Sequence, residues 1–311
     1  MIAYIDNRDR LTDHHYNLGS RLNISALPTL RQRLAPQVQA WVEKAVGVGL
    51  TCFGTDPVPV IGLPPGLDGL SDLPPGSAPA GPPLRAIRLD HGSLLTARAD
   101  WLEALRPIVT GLHPDLLFST FGAYELARVT LPDGFGVWGP VWYLFGDAST
   151  WRAEPDPRVQ RLDAEAMAKV DYQRFWHCYD GHAQAGFGVM EEGRLVALAA
   201  VHERDDGFHE IGMDVDPSAR GTGLGRAVVG TAGASIIKQG HIALGTTRSF
   251  NVPSARTLRS VGLVYAFSEL FAMGGGMPIP PQTLGRPSPD APIVNYYPDW
   301  AMNQDIESRP D

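Results

Sequence analysis

The chain has 311 residues, 44% hydrophobic and 19% charged, with Lys+Arg 26 against Asp+Glu 34 for a net charge of -8. That is enough chain for one large domain or two ordinary ones with self-sufficient cores, and the composition excludes both a disordered acidic tail and a coiled coil. No segment gathers the cationic face that a phosphate backbone or an anionic membrane demands, so neither nucleic acid nor a membrane is expected as a partner.

The opening run MIAYIDNRDR places charges where a secretory apolar region would stand, and no stretch reaches the roughly 18 apolar residues of a membrane helix, so the expectation is a cytoplasmic protein. Cys52 and Cys178 are isolated, which indicates neither a disulfide framework nor a zinc site. H-E-x-x-H, G-x-S-x-G and C-x-x-C are all missing, and His14-His15 reads as a solvated turn, so no metal is expected. Leu27, Leu30, Leu34, Val38, Trp41 and Ala45 recur at three- and four-residue steps, predicting one or two helices interrupted near Pro36. Asp56 to Pro83 holds nine prolines and five glycines, so regular structure is improbable there and a long surface loop is expected.

Leu102 to Val109 and Leu116 to Ala127 read as helices, the second within Asp115 to Arg128 with Phe118, Phe121 and Tyr124 as an aromatic stripe of core type. The stripe, like the strand region around Trp138 and Trp142, also suits an acceptor-pocket wall or a dimerisation surface. In GFGVWGPVWYLFG, residues Phe135, Val137, Val141, Tyr143 and Phe145 take odd positions, the two-residue period of strands. An acidic, proline-bearing stretch from Trp151 to Pro157 marks a junction, giving a mixed α/β N-terminal module over 1–150, a second domain over 151–273 and a Pro/Gly-rich tail over 274–311.

In that second domain Val159 to Leu162 reads as a strand and Asp163 as the cap of a helix running through Ala166, Val170 and Phe175. Phe187 to Met190, Leu195 to Val201 and Phe208 to Val215 follow as antiparallel strands, joined by turns at Glu191-Glu192-Gly193-Arg194 and Asp205-Asp206-Gly207. A helix after Pro217 ending at Gly240, a strand over Ile242 to Thr247, a helix over Val252 to Val261 and a strand over Leu263 to Phe271 complete the order β-α-β-β-β-α-β-α-β. Ile293 to Tyr297 reads as one more strand, in a tail whose Tyr296, Tyr297 and Trp300 call for a docking surface.

The most informative stretch is the glycine-rich turn from Asp214 to Gly225, set between a strand and a helix. Free amides at a helix start, with the macrodipole, make an anion site, and glycines at 221, 223 and 225 let backbone approach a phosphate. The G-x-G-x-G spacing after antiparallel strands departs from the dinucleotide fingerprint, and the Gly-Lys-Ser/Thr ending of a P-loop is absent. Glu210 interrupts an otherwise apolar strand and is the candidate general base, with His202 and Asp214 as rivals; if it points inward, His209 faces the other way.

The run Arg220-Gly221-Thr222-Gly223-Leu224-Gly225 resembles the R/Q-x-x-G-x-G/A signature of the GNAT superfamily of acyl-CoA-dependent N-acyltransferases. Asn251, Ser254, Gly262 and Leu263 resemble that family's second signature, and the likeness spans about residues 157 to 273. It implies an α/β GNAT fold, a mixed and largely antiparallel sheet flanked by helices, with acetyl-CoA as cosubstrate and no metal. By the same resemblance the pyrophosphate rests on the amides of Gly221, Gly223, Leu224, Gly225 and Arg226, with Arg220 and Thr222 also among the cofactor-binding residues, the pantetheine pairs with Met213, Asp214 and Val215, and Asn251 and Ser254 flank the cofactor arm. Leu258 stands where many members carry the Tyr that protonates the departing thiolate, leaving Ser254, Tyr265 or water for that task. The reading is acetyl transfer to a primary amine of a small molecule by direct attack in a ternary complex. The alternatives are a catalytically silent acyl-CoA-binding regulator and an acetyltransferase of protein Lys or N-termini, with a homodimer left open.

Overall fold

Short alternating runs punctuated by glycine join into one sheet. The computed structural model describes residues 26–63, 81–90, 92–178, 183, 185–204, 207–280, 284–286, 288 and 291–292, with backbone alone for 26–35. His14-His15, the Asp205-Asp206 part of its turn, the Ile293 to Tyr297 strand and the tail aromatics lie outside the described residues. The strands are β1 (Val60–Gly62), β2 (Leu84–Leu89), β3 (Gly92–Ala97), β4 (Phe135–Gly146), β5 (Gln160–Leu162), β6 (Ala185–Glu191), β7 (Arg194–Glu203), β8 (Phe208–Val215), β9 (Ile242–Arg248) and β10 (Val264–Gly274). They form a single sheet in the order β1-β3-β2-β10-β4-β9-β8-β7-β6-β5, antiparallel except for β1/β3 and β8/β9. The expected mixed, largely antiparallel α/β architecture is therefore present.

Strands from both sides of residue 150 share this sheet. β4 lies between β9 and β10, with rungs such as Leu144↔Gly245 and Tyr143↔Phe267. The helices are α1 (Ala26–Val46), α2 (Leu102–Gly111), α3 (Pro114–Leu117), α4 (Thr120–Thr130), α5 (Ala164–Ala168), α6 (Leu224–Lys238) and α7 (Val252–Val261). On one face α6 lays Leu224, Val228, Ala232 and Ile236, four residues apart and all buried, over the β6–β9 region with α7 beside it. Further along that face α2 and α4 cover the β2, β3 and β10 strands.

The other face has two coverings. Val38, Val42 and Val46 of α1 pack on Ile87, Leu94, Phe145, Phe208, Leu244 and Phe267. Met167, Phe175 and Cys178, in the segment from α5 to a 3-10 turn at Trp176–Cys178, pack on Leu198 and Ala200 of β7. The two coverings meet over β8 and β9, where the polar groups of the site collect.

Six local expectations are corrected. α1 runs unbroken through Pro36, which sits exposed; burial of three valines outweighs the roughly 3 kcal/mol cost of an interior proline. The proline-rich segment contains β1, paired in parallel with β3. The helix expected over 115–128 breaks at Phe118, because Ser119 caps a new helix by accepting the Gly122 amide. Its stripe is core only at Phe118, 8% exposed, against 52% for Phe121 and 40% for Tyr124. α5 stops at Ala168 instead of reaching Phe175, since the Asp171 carboxylate binds the Gln173 and Arg174 amides and fixes a turn. In β4 the odd residues do not share a face: Gly139, at φ 130, and Pro140 interrupt the alternation, sending Val137 to the α2–α4 side and Tyr143 and Phe145 to the α1 side.

Candidate active site

β8 and β9 pair over only three rungs, Phe208↔Ile242 to Glu210↔Leu244. Beyond them β8 continues on β7 and β9 continues on β4. The β8 edge from Ile211 to Val215 that looks toward β9 therefore carries no strand, and such an edge can bind an extended chain through its amides and carbonyls. Met213, Asp214 and Val215, the expected pantetheine residues, form this edge.

The glycine turn follows at once. Gly221 and Gly223 adopt φ of 82 and 84, with open space where a Cβ would stand, and Gly223 is the N-cap of α6. The first helical bond runs from the Ala227 amide to the Gly223 carbonyl, so the amides of Leu224, Gly225 and Arg226 emerge from the helix end as anion donors. Gly225 lies against Met213 and Val215, which puts the helix start beside the open edge. Thr222 Oγ1 donates to the Ala219 carbonyl and Arg220 Nε to the Val215 carbonyl. These residues fit the pyrophosphate and arm of coenzyme A: exposed amides, room above two left-handed glycines, and an unpaired strand edge.

Glu210 marks the apex of the splay on the opposite face, 5% exposed. Arg204 donates to its Oε2, from Nε at 2.8 Å, and Thr246 Oγ1 donates to its Oε1 at 2.9 Å. His202 stands directly across on β7 and donates from Nε2 to the Cys178 carbonyl at 3.1 Å. His209 alternates to the far face, where it packs on His241 at 4.3 Å and burial holds its imidazole below the usual range.

Asp214, on the same face as Glu210, binds a residue the sequence reading did not single out. Its carboxylate accepts the His177 amide and faces His177 Nδ1, each at 2.6 Å. A carboxylate only accepts, so the proton sits on Nδ1 and a neutral ring keeps Nε2 as an acceptor. Arg174 pairs with Asp216 and fastens the same segment. Farther along this face Tyr143 donates to Glu269 at 2.5 Å and Arg85 pairs with Glu269 at 2.8 Å. Burial raises both the Glu269 carboxyl, against the pull of Arg85, and the Tyr143 phenol.

On the β9 side Asn251 caps α7 by accepting the Ser254 amide at 3.2 Å, so these two residues of the second signature lie just past the end of the strand. Leu258 is buried against Gly245, and Tyr265 is 42% exposed on β10. Burial pushes the Cys178 thiol far up, out of reach of thiolate chemistry. Among the described residues no cluster of three or more His, Cys, Asp or Glu could hold a metal, and no helix is long and apolar enough to cross a membrane. His177, Arg204, Thr246 and Arg248 escaped the sequence reading because none lies in a motif; the apolar-polar alternation of β9 could have flagged Thr246 and Arg248.

An open strand edge leading into a glycine turn at a helix start offers amides for an anion and a free edge for an extended chain. Residues 148–263 match the acetyltransferase (GNAT) family. Solved structures are similar over part of the chain. A GNAT-family protein from Novosphingobium aromaticivorans DSM 12444 is 19% identical, covering 46% of this chain and 69% of its own at a TM-score of 0.40. A GNAT acetyltransferase from Colwellia psychrerythraea is 17% identical over 47% and 60% of the two chains, TM-score 0.37. A GCN5-related N-acetyltransferase from Kribbella flavida is 21% identical over 48% and 64%, TM-score 0.36. The matches thus span less than half of this chain, and in two of the three less than two thirds of the relative. No curated protein matches.

Proposed function

We propose that this protein moves an acetyl group from acetyl-CoA to a primary amine of a small molecule, by direct attack in a ternary complex. The observation that carries the reading is the three-rung β8/β9 pairing, which opens a strand edge beside the α6 amides and sets Glu210 at the apex. In this reading the amides of residues 221 and 223–226 bind the pyrophosphate and the β8 edge binds the arm. Glu210 takes the proton from the ammonium, directly or through water. The freed amine attacks the thioester carbonyl, a C–N bond forms as the C–S bond breaks, and the second N–H proton, lost as the amide forms, passes through water or a nearby hydroxyl to the departing thiolate. Direct attack is consistent with the deeply buried state of Cys178, whose thiol is not poised to carry the acyl group.

Calorimetric titration of acetyl-CoA into the full chain, beside Gly223→Trp, tests the donor site. Saturable binding near one per chain that the variant loses supports the reading, and absence of binding at millimolar acetyl-CoA refutes it. Thiol release with amines then separates a transferase from a silent acyl-CoA-binding regulator.

A further inference from the structure

The acceptor side of the splay carries an unmatched cation. β8 and β9 run parallel from the Glu210↔Leu244 rung, so Asp214 and Arg248 stand four residues beyond it at equal height on opposite walls. Side chains alternate along a strand, and the Glu210–Thr246 bond fixes the shared face; Glu210, Asp214, Thr246 and Arg248 all belong to it. The glycine turn contacts Met213 and Val215 on the other face, so Arg248 looks away from the phosphate end.

Every other arginine of this neighbourhood has an acid: Arg204 has Glu210, Arg174 has Asp216, Arg85 has Glu269. Arg248 has none among the described residues. Its guanidinium is half-buried and lies 5.4 Å from the Trp138 ring, which packs edge-on against Phe250. Stacking holds the fork in place and leaves its donor edge free for a planar anion. The opposite wall carries the Asp214–His177 pair, with Trp176 beside it 65% exposed.

We infer that the acceptor amine carries a carboxylate, which Arg248 receives, so that the substrates are amino-acid-like zwitterions whose ammonium group turns toward the carboxylates of β8. The inference rests on the proposed acetyl transfer and adds the substrate class. Matched pairs probe it: phenylalanine against 2-phenylethylamine, leucine against 3-methylbutylamine, and lysine against cadaverine, with thiol release read on the full chain, on Arg248→Met and on Arg248→Lys. A charged hydrogen-bonded pair gives an expected KM about 10 to 100 times lower for the carboxylate-bearing member. Arg248→Met should erase that difference while leaving the KM for acetyl-CoA unchanged, and Arg248→Lys should restore part of it. Equal KM values within the pairs, or a change confined to acetyl-CoA, overturn the assignment. If no amine is turned over, calorimetry of the same pairs with the protein saturated in coenzyme A decides. Binding of the carboxylate member alone, lost in Arg248→Met, upholds the class while acetyl transfer falls; equal binding or none overturns it.

Discussion

The Gly212 α-carbon faces the His177 carbonyl so closely that a Cβ built there would lie 2.1 Å from the oxygen. This contact lets the 3-10 turn of Trp176–Cys178 lie flat on β8 and brings His177 onto Asp214. Gly212→Ala must push the turn off the sheet. The expected cost is about 1–3 kcal/mol, typical of overpacking, with acceptor turnover falling further than acetyl-CoA affinity. Urea unfolding and a KM for each substrate check it; wild-type stability would mean the turn is not pinned here.

Glu210→Gln keeps the Arg204 and Thr246 contacts in outline but cannot take a proton. Turnover at neutral pH should drop by about 100-fold or more with acetyl-CoA binding intact. Unchanged turnover would shift the role to His202 or to Asp214 with its histidine.

Glu269 is buried with Arg85 and Tyr143 as its partners. Arg85→Met strands that carboxylate, and a broken buried pair costs about 3–5 kcal/mol. Adding Glu269→Gln should return part of the loss. A double-mutant cycle by chemical denaturation reads the coupling, and additive losses would show that the pair contributes nothing.

His209 supplies an acid-sensitive step. Burial lowers its folded pKa, His241 lowers it further and Glu203 works against both. The unfolded chain therefore takes up a proton at a pH where the folded chain does not. Stability is full above the ordinary histidine range, near 6.5, and is lost as pH falls through it toward the folded value. Thermal melts from pH 8 to 5 should decline on the acid side, and His209→Leu should flatten that decline; an identical slope in the variant rules His209 out.

Much of the second half was readable from local chemistry. The helix over Val252–Val261 has Asn251 as its cap and Gly262, at φ 111, as its stop, and it was expected at those bounds. The hairpin at Glu192-Gly193 has both residues at positive φ, as a tight two-residue turn requires. The glycine turn followed from the same punctuation. What stayed hidden depends on distant partners. Nothing in GFGVWGPVWYLFG announces neighbours on β9 and β10, because pairing between remote segments leaves no periodic mark. His177 lies in a run without periodicity, and Arg248 gains meaning only when parallel register sets it level with Asp214.

The seat of β4 between β9 and β10 gives the nascent chain an order of events. β4 leaves the ribosome early, while the two strands that flank it are the last to be synthesised among those of the described residues. Closure of such remote pairings is slow, and until it happens β4 presents two bare edges open to aggregation. A chain truncated before β10 leaves β2 and β4 without the strand that joins them. The first half works as an intramolecular clasp, so severing the chain between Gly146 and Trp151 should give fragments that are individually inert and regain thiol-releasing activity only when made together.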